Sequence, residues 1–196
     1  MIRSSKKIIL GSNSPRRREL LAGLDFPFTV DTGNSFQETM DPDVDPRDIP
    51  AMMSKGKSYG FHRELAEDEI LITSDTVVLV KEGEGFIVLG KPHDGKDAVR
   101  MLKSLSGRKH EVLTAVTIRS NSREKTFTDS AKVTFEELNE DEINYYIDNY
   151  RPFDKAGAYG IQEWIGYAAI SGLEGSFYTV MGFPVHRVYK ELKEFL

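Results

Sequence analysis

The chain has 196 residues, a formal net charge of −5, 39% hydrophobic and 29% charged residues, and no cysteine. That length accommodates one large domain with a buried core, and the composition excludes a disordered chain. The absence of cysteine removes disulfide frameworks, zinc–thiolate sites and thiol nucleophiles, and the acidic balance argues against a generic nucleic-acid binder, which needs a broad basic surface.

Met1 to Lys7 carries basic residues without an apolar core, so no secretory signal is expected, and no apolar run reaches the roughly 18 residues of a membrane span. Lys7 to Ser12 reads as a short buried strand. Ser14-Pro15 then opens a helix, serine as cap and proline at the first position, with Leu20, Leu21 and Leu24 as its apolar stripe. A strand near Phe28 to Thr32 leads into a polar stretch from Gly33 to Asp48. Asp45-Pro46 repeats the cap-plus-proline signal and predicts a helix to about Leu65. Ile70 to Val80 is apolar and β-branched on both faces, the pattern of a strand in the middle of a sheet. Glu82 to Gly85 turns it back through Phe86 to Leu89.

Asp94 caps a further helix, with Ala98, Met101, Leu102 and Leu105 at helical spacing. Glu111 to Arg119 and Thr126 to Phe135 alternate as a long hairpin around Asn121 and Ser122. Asn139 and Glu142 have capping-box spacing, followed by the stripe Ile143, Tyr146, Ile147 and Tyr150. The Gly-rich segment from Gly166 to Gly175 gives no clear periodicity, and Pro184 to Leu196 reads as an amphipathic helix. The expectation is one α/β folding unit with a twisted mixed sheet and a cleft.

Four clusters carry chemistry. In Gly11-Ser12-Asn13-Ser14-Pro15-Arg16-Arg17-Arg18, three arginines stand in a first helical turn, where each is disfavoured by roughly 0.3–1 kcal/mol. With the serine hydroxyls and free helix-end amides they form a cradle for a polyphosphate, although at about 100° per residue they fan apart. The bland alternative is a solvated basic helix end. Asp75 lies inside an apolar strand, where an unpaired carboxylate costs several kcal/mol (of order 2–7 for a polar group) and marks a metal ligand or general base; the alternative is that the strand ends at Ser74 and Asp75 caps a bulge. Lys91, between Gly90 and Pro92, is by itself an ordinary turn lysine, and Lys55 and Lys57 read as surface residues. Asp154 to Gln162 sets small residues around one tyrosine, as a base pocket or a tight turn requires. No paired metal-ligand histidines, nucleophile elbow or Walker A motif is present.

In order, these landmarks run Ser12-Asn13-Ser14-Pro15-Arg16-Arg17, Ser74-Asp75-Thr76-Val77-Val78, Gly90-Lys91-Pro92-His93-Asp94 and Leu105-Ser106-Gly107. They continue through His110-Glu111-Val112, Thr114-Ala115-Val116, Asp154 to Gln162, Ile170-Ser171-Gly172 and Met181-Gly182-Phe183-Pro184. The series resembles the Maf family of nucleotide pyrophosphatases over nearly the whole chain, as a single domain of residues 1–196. The resemblance implies an elongated α/β fold of the inosine-triphosphate-pyrophosphatase type, a twisted mixed sheet flanked by helices, with two lobes and a central cleft. It implies a cytoplasmic homodimer that binds neither nucleic acid nor membrane and hydrolyses the α–β phosphoanhydride of a nucleoside triphosphate. A divalent cation, Mg²⁺ or Mn²⁺, is the implied cofactor.

Asp75 matches the family's proton acceptor and Glu38 its acidic partner at the metal. Arg17, Lys57 and Lys91 match the residues facing the phosphates, and Ser12 and Ser14 those positioning them. Arg16, Thr76 and Gln162 look like the base-reading set of the dTTP/UTP branch; the branch acting on 7-methyl-GTP typically has Trp, Gln and Glu there. One departure is Gly56-Lys57-Ser58, where the family usually reads Glu-Lys-Ala; glycine weakens a helix there by about 1 kcal/mol. The alternative readings are a non-catalytic nucleotide-binding regulator of cell division and a pyrophosphatase for other non-standard nucleotides.

Overall fold

In the computed structural model, which describes residues 5–39 and 43–196, caps and apolar stripes set most of the elements. The start of the N-terminal segment and part of the polar stretch after Gly33 lie outside the described residues. The strands are β1 (Lys7–Leu10), β2 (Phe28–Val30), β3 (Glu69–Glu82), β4 (Gly85–Leu89), β5 (Lys109–Arg119), β6 (Glu124–Phe135) and β7 (Ile170–Glu174). They form a seven-stranded sheet in the order β2-β1-β3-β5-β6-β7, with β4 paired to β3. Parallel pairs (β1 with β2 and β3) and antiparallel pairs (β3 with β4, β6 with β7) make it mixed. Among the described residues no helix is long and apolar enough to cross a membrane.

The chain divides into two compact units. One comprises the described residues up to Asp75 with Thr114–Asp129 and Gly182–Leu196; the other comprises Thr76–Leu113 and Ser130–Met181.

In the first unit α1 (Pro15–Ala22) starts as its sequence dictates: Ser14 accepts from the Arg17 amide and Pro15 takes the first turn. Leu20 and Leu21 are its buried residues, and Leu24 lies beyond its end. The helix expected from Asp45 to Leu65 is shorter, α2 (Ile49–Tyr59). Asp45 instead closes a turn, its side chain accepting from Arg47 N at 2.9 Å and its carbonyl from Asp48 N at 2.8 Å. At the other end Gly60 caps α2, and Phe61 leaves to bridge Asn34. The C-terminal helix, α7 (Val185–Leu192), also stops earlier than its pattern implied, although Phe195 is still buried.

In the second unit β4 returns on β3 with Val78 opposite Leu89, as the turn residues required. Asp94 caps α3 (Gly95–Leu105) by accepting from Asp97 N, and Asn139 with Glu142 completes both halves of the capping box on α4 (Glu140–Tyr150). The Gly-rich segment, unreadable from periodicity, becomes the end of α5 (Trp164–Ala169) and then β7, before α6 (Phe177–Val180). Met101, Leu102, Leu105, Ile143, Tyr146 and Ile165 pack with Val78 and Leu89 in the core of this unit.

His110 is buried here, edge-on to Phe135 and Tyr159, with Nε2 2.8 Å from the Tyr159 hydroxyl. Burial lowers its pKa to about 3. The folded protein therefore keeps His110 neutral down to that pH, whereas the unfolded chain takes up a proton below about 6.5. The unfolded state binds more protons across that window, so stability is full above pH 6.5 and falls as the pH drops, by up to about 1.4 kcal/mol per unit. Urea denaturation at pH 7 and 4.5 is expected to show wild type losing about 2–3 kcal/mol more than a His110→Gln protein.

Candidate functional site

β3 is buried along most of its length, but at its middle Asp75 and Thr76 are only half-buried. The strand continues through both, so Asp75 is not a terminal cap. Its Oδ1 lies 2.6 Å from Lys57 Nζ, and the same ammonium is 2.9 Å from Glu38 Oε1. One lysine thus holds two carboxylates together. The side chains of Lys57 and Asp75 are 21% and 16% exposed, whereas Glu38 is 59% exposed. Lys57 is therefore no ordinary surface lysine; Lys55, two positions earlier, is one, pairing with Glu124 at 3.0 Å.

The placement of Lys57 against Asp75 is supported by a buried hydroxyl lattice that sequence reasoning missed. Ser54, one turn before Lys57 on α2, donates to Thr73 O at 3.2 Å, and Thr73 Oγ1 donates back to Ser54 O at 2.8 Å. Ser54 Oγ also meets Thr117 Oγ1 at 3.0 Å. The reciprocal pair fixes α2 against β3 two residues before Asp75. The available signal was the polar inner face of α2, Ser54 and Ser58 at helical spacing, where an apolar stripe is the default.

The basic cluster contributes to the same unit. Ser12 is buried and accepts from Ser14 N at 3.2 Å, so the turn into α1 is internally braced. The three arginines do fan out: Arg16 and Arg17 are half-buried and Arg18 is exposed. Arg17 donates to Ser74 O at 2.6 Å and to Gly182 O at 2.9 Å, tying α1 to the strand immediately before Asp75. Burial lowers the Arg17 pKa, the Asp75 charge opposes that shift, and Arg16 adds to it. The guanidinium therefore lies within the field of both Asp75 and Arg16.

The first unit accordingly brings together Ser12, Ser14, Arg16, Arg17, Glu38, Lys57 and Asp75. Its donor set suits a hard divalent cation: two carboxylates converge on one ammonium, and Mg²⁺ commonly takes one or two protein carboxylates and completes its shell with water and phosphate oxygens. Among the described residues there is no group of three or more acidic, histidine or cysteine side chains able to form a closed cage.

The second unit carries Thr76, Lys91 and Gln162. Lys91 is exposed, and Pro92 after it is buried. The carbonyl of Gly90 accepts from Gly157 N at 2.9 Å, joining the Lys91 turn to the loop that leads to Gln162. Gln162 is half-buried, yet its Oε1 is inaccessible and has no hydrogen-bond partner. A buried amide oxygen left unpaired costs on the order of 1–3 kcal/mol.

A second network overlooked in the sequence supports this loop. Lys155 is nearly fully buried and pairs with Asp154 at 2.8 Å and Glu163 at 3.0 Å. Glu163 accepts from the Tyr146 hydroxyl of α4, and that hydroxyl accepts from Gly160 N at 3.0 Å. Burial, then the Glu163 carboxylate, raises the Tyr146 pKa and keeps the phenol protonated as a donor. The backbone on either side of Gln162 is thereby anchored.

The family model described as Maf-like protein matches residues 7–195. The dTTP/UTP pyrophosphatase of Porphyromonas gingivalis is 48% identical over 191 residues, covering 96% of this chain and 94% of its own. The protein of that name from Parabacteroides distasonis is 45% identical over 189 residues, 96% of both chains. That from Christiangramia forsetii is 45% identical over 190 residues, 97% of this chain and 94% of its own. The carboxylate–lysine trio and the basic start of α1 thus stand in a chain matched along nearly its whole length, and the chain belongs to the Maf-like protein family.

Proposed function

We propose that this chain is a nucleoside-triphosphate pyrophosphatase that hydrolyses dTTP and UTP to the monophosphate and pyrophosphate. The observation that carries the proposal is Lys57 held between Asp75 and Glu38 beside the α1 arginines. This places opposite charges together where a triphosphate and its cation need both. Relatives sharing 45–48% of their residues bear the name dTTP/UTP pyrophosphatase.

In the reaction, a water oxygen forms a bond to the α-phosphorus while the bond from that phosphorus to the α–β bridging oxygen breaks. The departing group is pyrophosphate. Asp75 accepts the proton of the attacking water, its carboxylate oriented by Lys57. Arg16, Arg17, Lys57 and Lys91 offset charge on the phosphate oxygens, and Ser12, Ser14 and the α1 amides orient them. Glu38 and Asp75 are the residues that would hold Mg²⁺ or Mn²⁺, and the chemistry supplied by such an ion is neutralisation and polarisation of the phosphate oxygens.

Thymine and uracil carry an imide N–H between two carbonyls, and the side-chain amide of Gln162, placed at the base-reading position by family resemblance, is of a type that can accept from it. On family resemblance alone we assign base reading also to Arg16 and Thr76. The assembly we favour is a homodimer acting in the cytoplasm, on family resemblance.

Pyrophosphate release measured over a panel of nucleoside triphosphates with Mg²⁺ or Mn²⁺ tests this reading. Release from dTTP and UTP at least tenfold above that from GTP and ATP is expected. Tight binding of the pyrimidine nucleotides without release would instead identify a nucleotide-binding regulator. Preference for modified nucleotides would identify a pool-cleaning enzyme.

A further inference from the structure

Glu38 belongs to a loop, not to a helix or strand, yet its carboxylate meets Lys57 on α2. The loop is moored along α2 by a series of contacts. Asn34 Nδ2 donates to Lys57 O at 2.6 Å, Asn34 Oδ1 accepts from Phe36 N at 2.8 Å, and Ser35 N donates to Gly60 O at 2.8 Å. Phe36 then lies directly on α2 at Gly56. A Cβ built on Gly56 would fall 2.3 Å from two ring carbons of Phe36, and one on Gly60 would fall 2.6 Å from both Phe36 Cβ and Asn34 Oδ1.

Gly56 and Gly60 are one turn apart, so they open a continuous notch on one face of the helix. The glycine of Gly56-Lys57-Ser58 weakens the helix locally, and the notch is what the helix gains in return. We propose that Phe36, seated in the Gly56–Gly60 notch, is a positioning residue that delivers Glu38 to Lys57 and Asp75. It touches neither substrate nor cation and acts only through the placement of Glu38. The proposal rests on the role given above to Glu38.

The test is a double-mutant cycle of Gly56→Ala and Phe36→Ala, with Glu38→Gln alongside. Two readouts are taken: kcat/KM for dTTP, and amide hydrogen exchange of residues 31–39. Gly56→Ala alone is expected to lower kcat/KM at least tenfold and to speed exchange across the loop, because the added methyl displaces the ring. Phe36→Ala is expected to do the same. In the Phe36→Ala background the further Gly56→Ala change is expected to alter kcat/KM by less than twofold, since no ring remains to displace. An effect arising only from helix propensity would instead be equal in both backgrounds, with loop exchange unchanged, and would overturn the proposal. So would full activity and unchanged exchange in Gly56→Ala while Glu38→Gln is impaired. Full activity of Glu38→Gln would overturn the role of Glu38, and the positioning role with it.

Discussion

An Asp75→Asn protein is expected to fold as wild type and to lose at least about 10²-fold in pyrophosphate release, the lower end of what a positioned general base contributes. The change keeps the shape and an acceptor oxygen for Lys57, which now lies 2.6 Å from Asp75 Oδ1. What it removes is the carboxylate proposed to accept the proton and one negative charge of the pair proposed to hold the cation. The amide oxygen still accepts from Lys57 and Glu38 still pairs with it, so the ammonium is not orphaned and the loss of stability is expected to stay below the roughly 3–5 kcal/mol of a broken buried pair. Pyrophosphate release from dTTP and a thermal melt, made on the same preparation, separate the two quantities. Retention of wild-type turnover would remove Asp75 from the chemistry, and a collapsed melt would make it a structural residue.

Gly166→Ala has the largest expected effect on the fold. A Cβ there would lie 1.8 Å from the carbonyl oxygen of Ile161 and 2.6 Å from its carbonyl carbon. These are backbone atoms, so no side-chain rotation relieves the contact. The Ile161–Gln162 peptide has to shift by an ångström or more, at a cost of about 3 kcal/mol. In a chain of this size that lowers the melting temperature by on the order of 6–12 °C. The same peptide carries the Gln162 side chain, so discrimination is expected to suffer beyond the loss of stability. At a temperature where the variant is fully folded, the ratio of kcat/KM for dTTP over GTP is expected to fall at least fivefold. A variant with wild-type melting and wild-type selectivity would refute the account of this turn.

What could be read from the sequence was mostly local. Ser14, Asp94 and Asn139 cap helices through bonds within four residues, and each was legible from its own neighbourhood. Asp75 was legible for a different reason: a carboxylate inside an apolar strand violates the burial rule, and the violation is visible without a fold. Asp45-Pro46 misled because the same residue pair opens helices and closes turns, and only the bond from Asp48 N back to Asp45 O separates the two. β7 was invisible because its strand character comes from pairing with β6 some forty residues earlier. Lys57 looked ordinary because both of its carboxylate partners are remote in sequence. Similarly, Gly56 read as a weakness in a helix until Phe36 was found lying on it. Thr76 and Gln162 were identified by resemblance alone, because reading a base leaves no signature in local pattern or spacing.

The unit that holds Asp75 is drawn from three separate stretches of chain, the last beginning at Gly182. Arg17, which braces the strand next to Asp75, takes one of its two carbonyl partners from that last stretch. During synthesis the ribosome therefore delivers the carboxylates, the lysine and the arginines long before the residue that fixes Arg17 emerges. A nascent chain short of residue 182 already owns nearly every side chain of the chemistry but lacks the backbone that locks it. Completion of the brace on Arg17 is thus a late, long-range closure rather than a step of gradual local assembly.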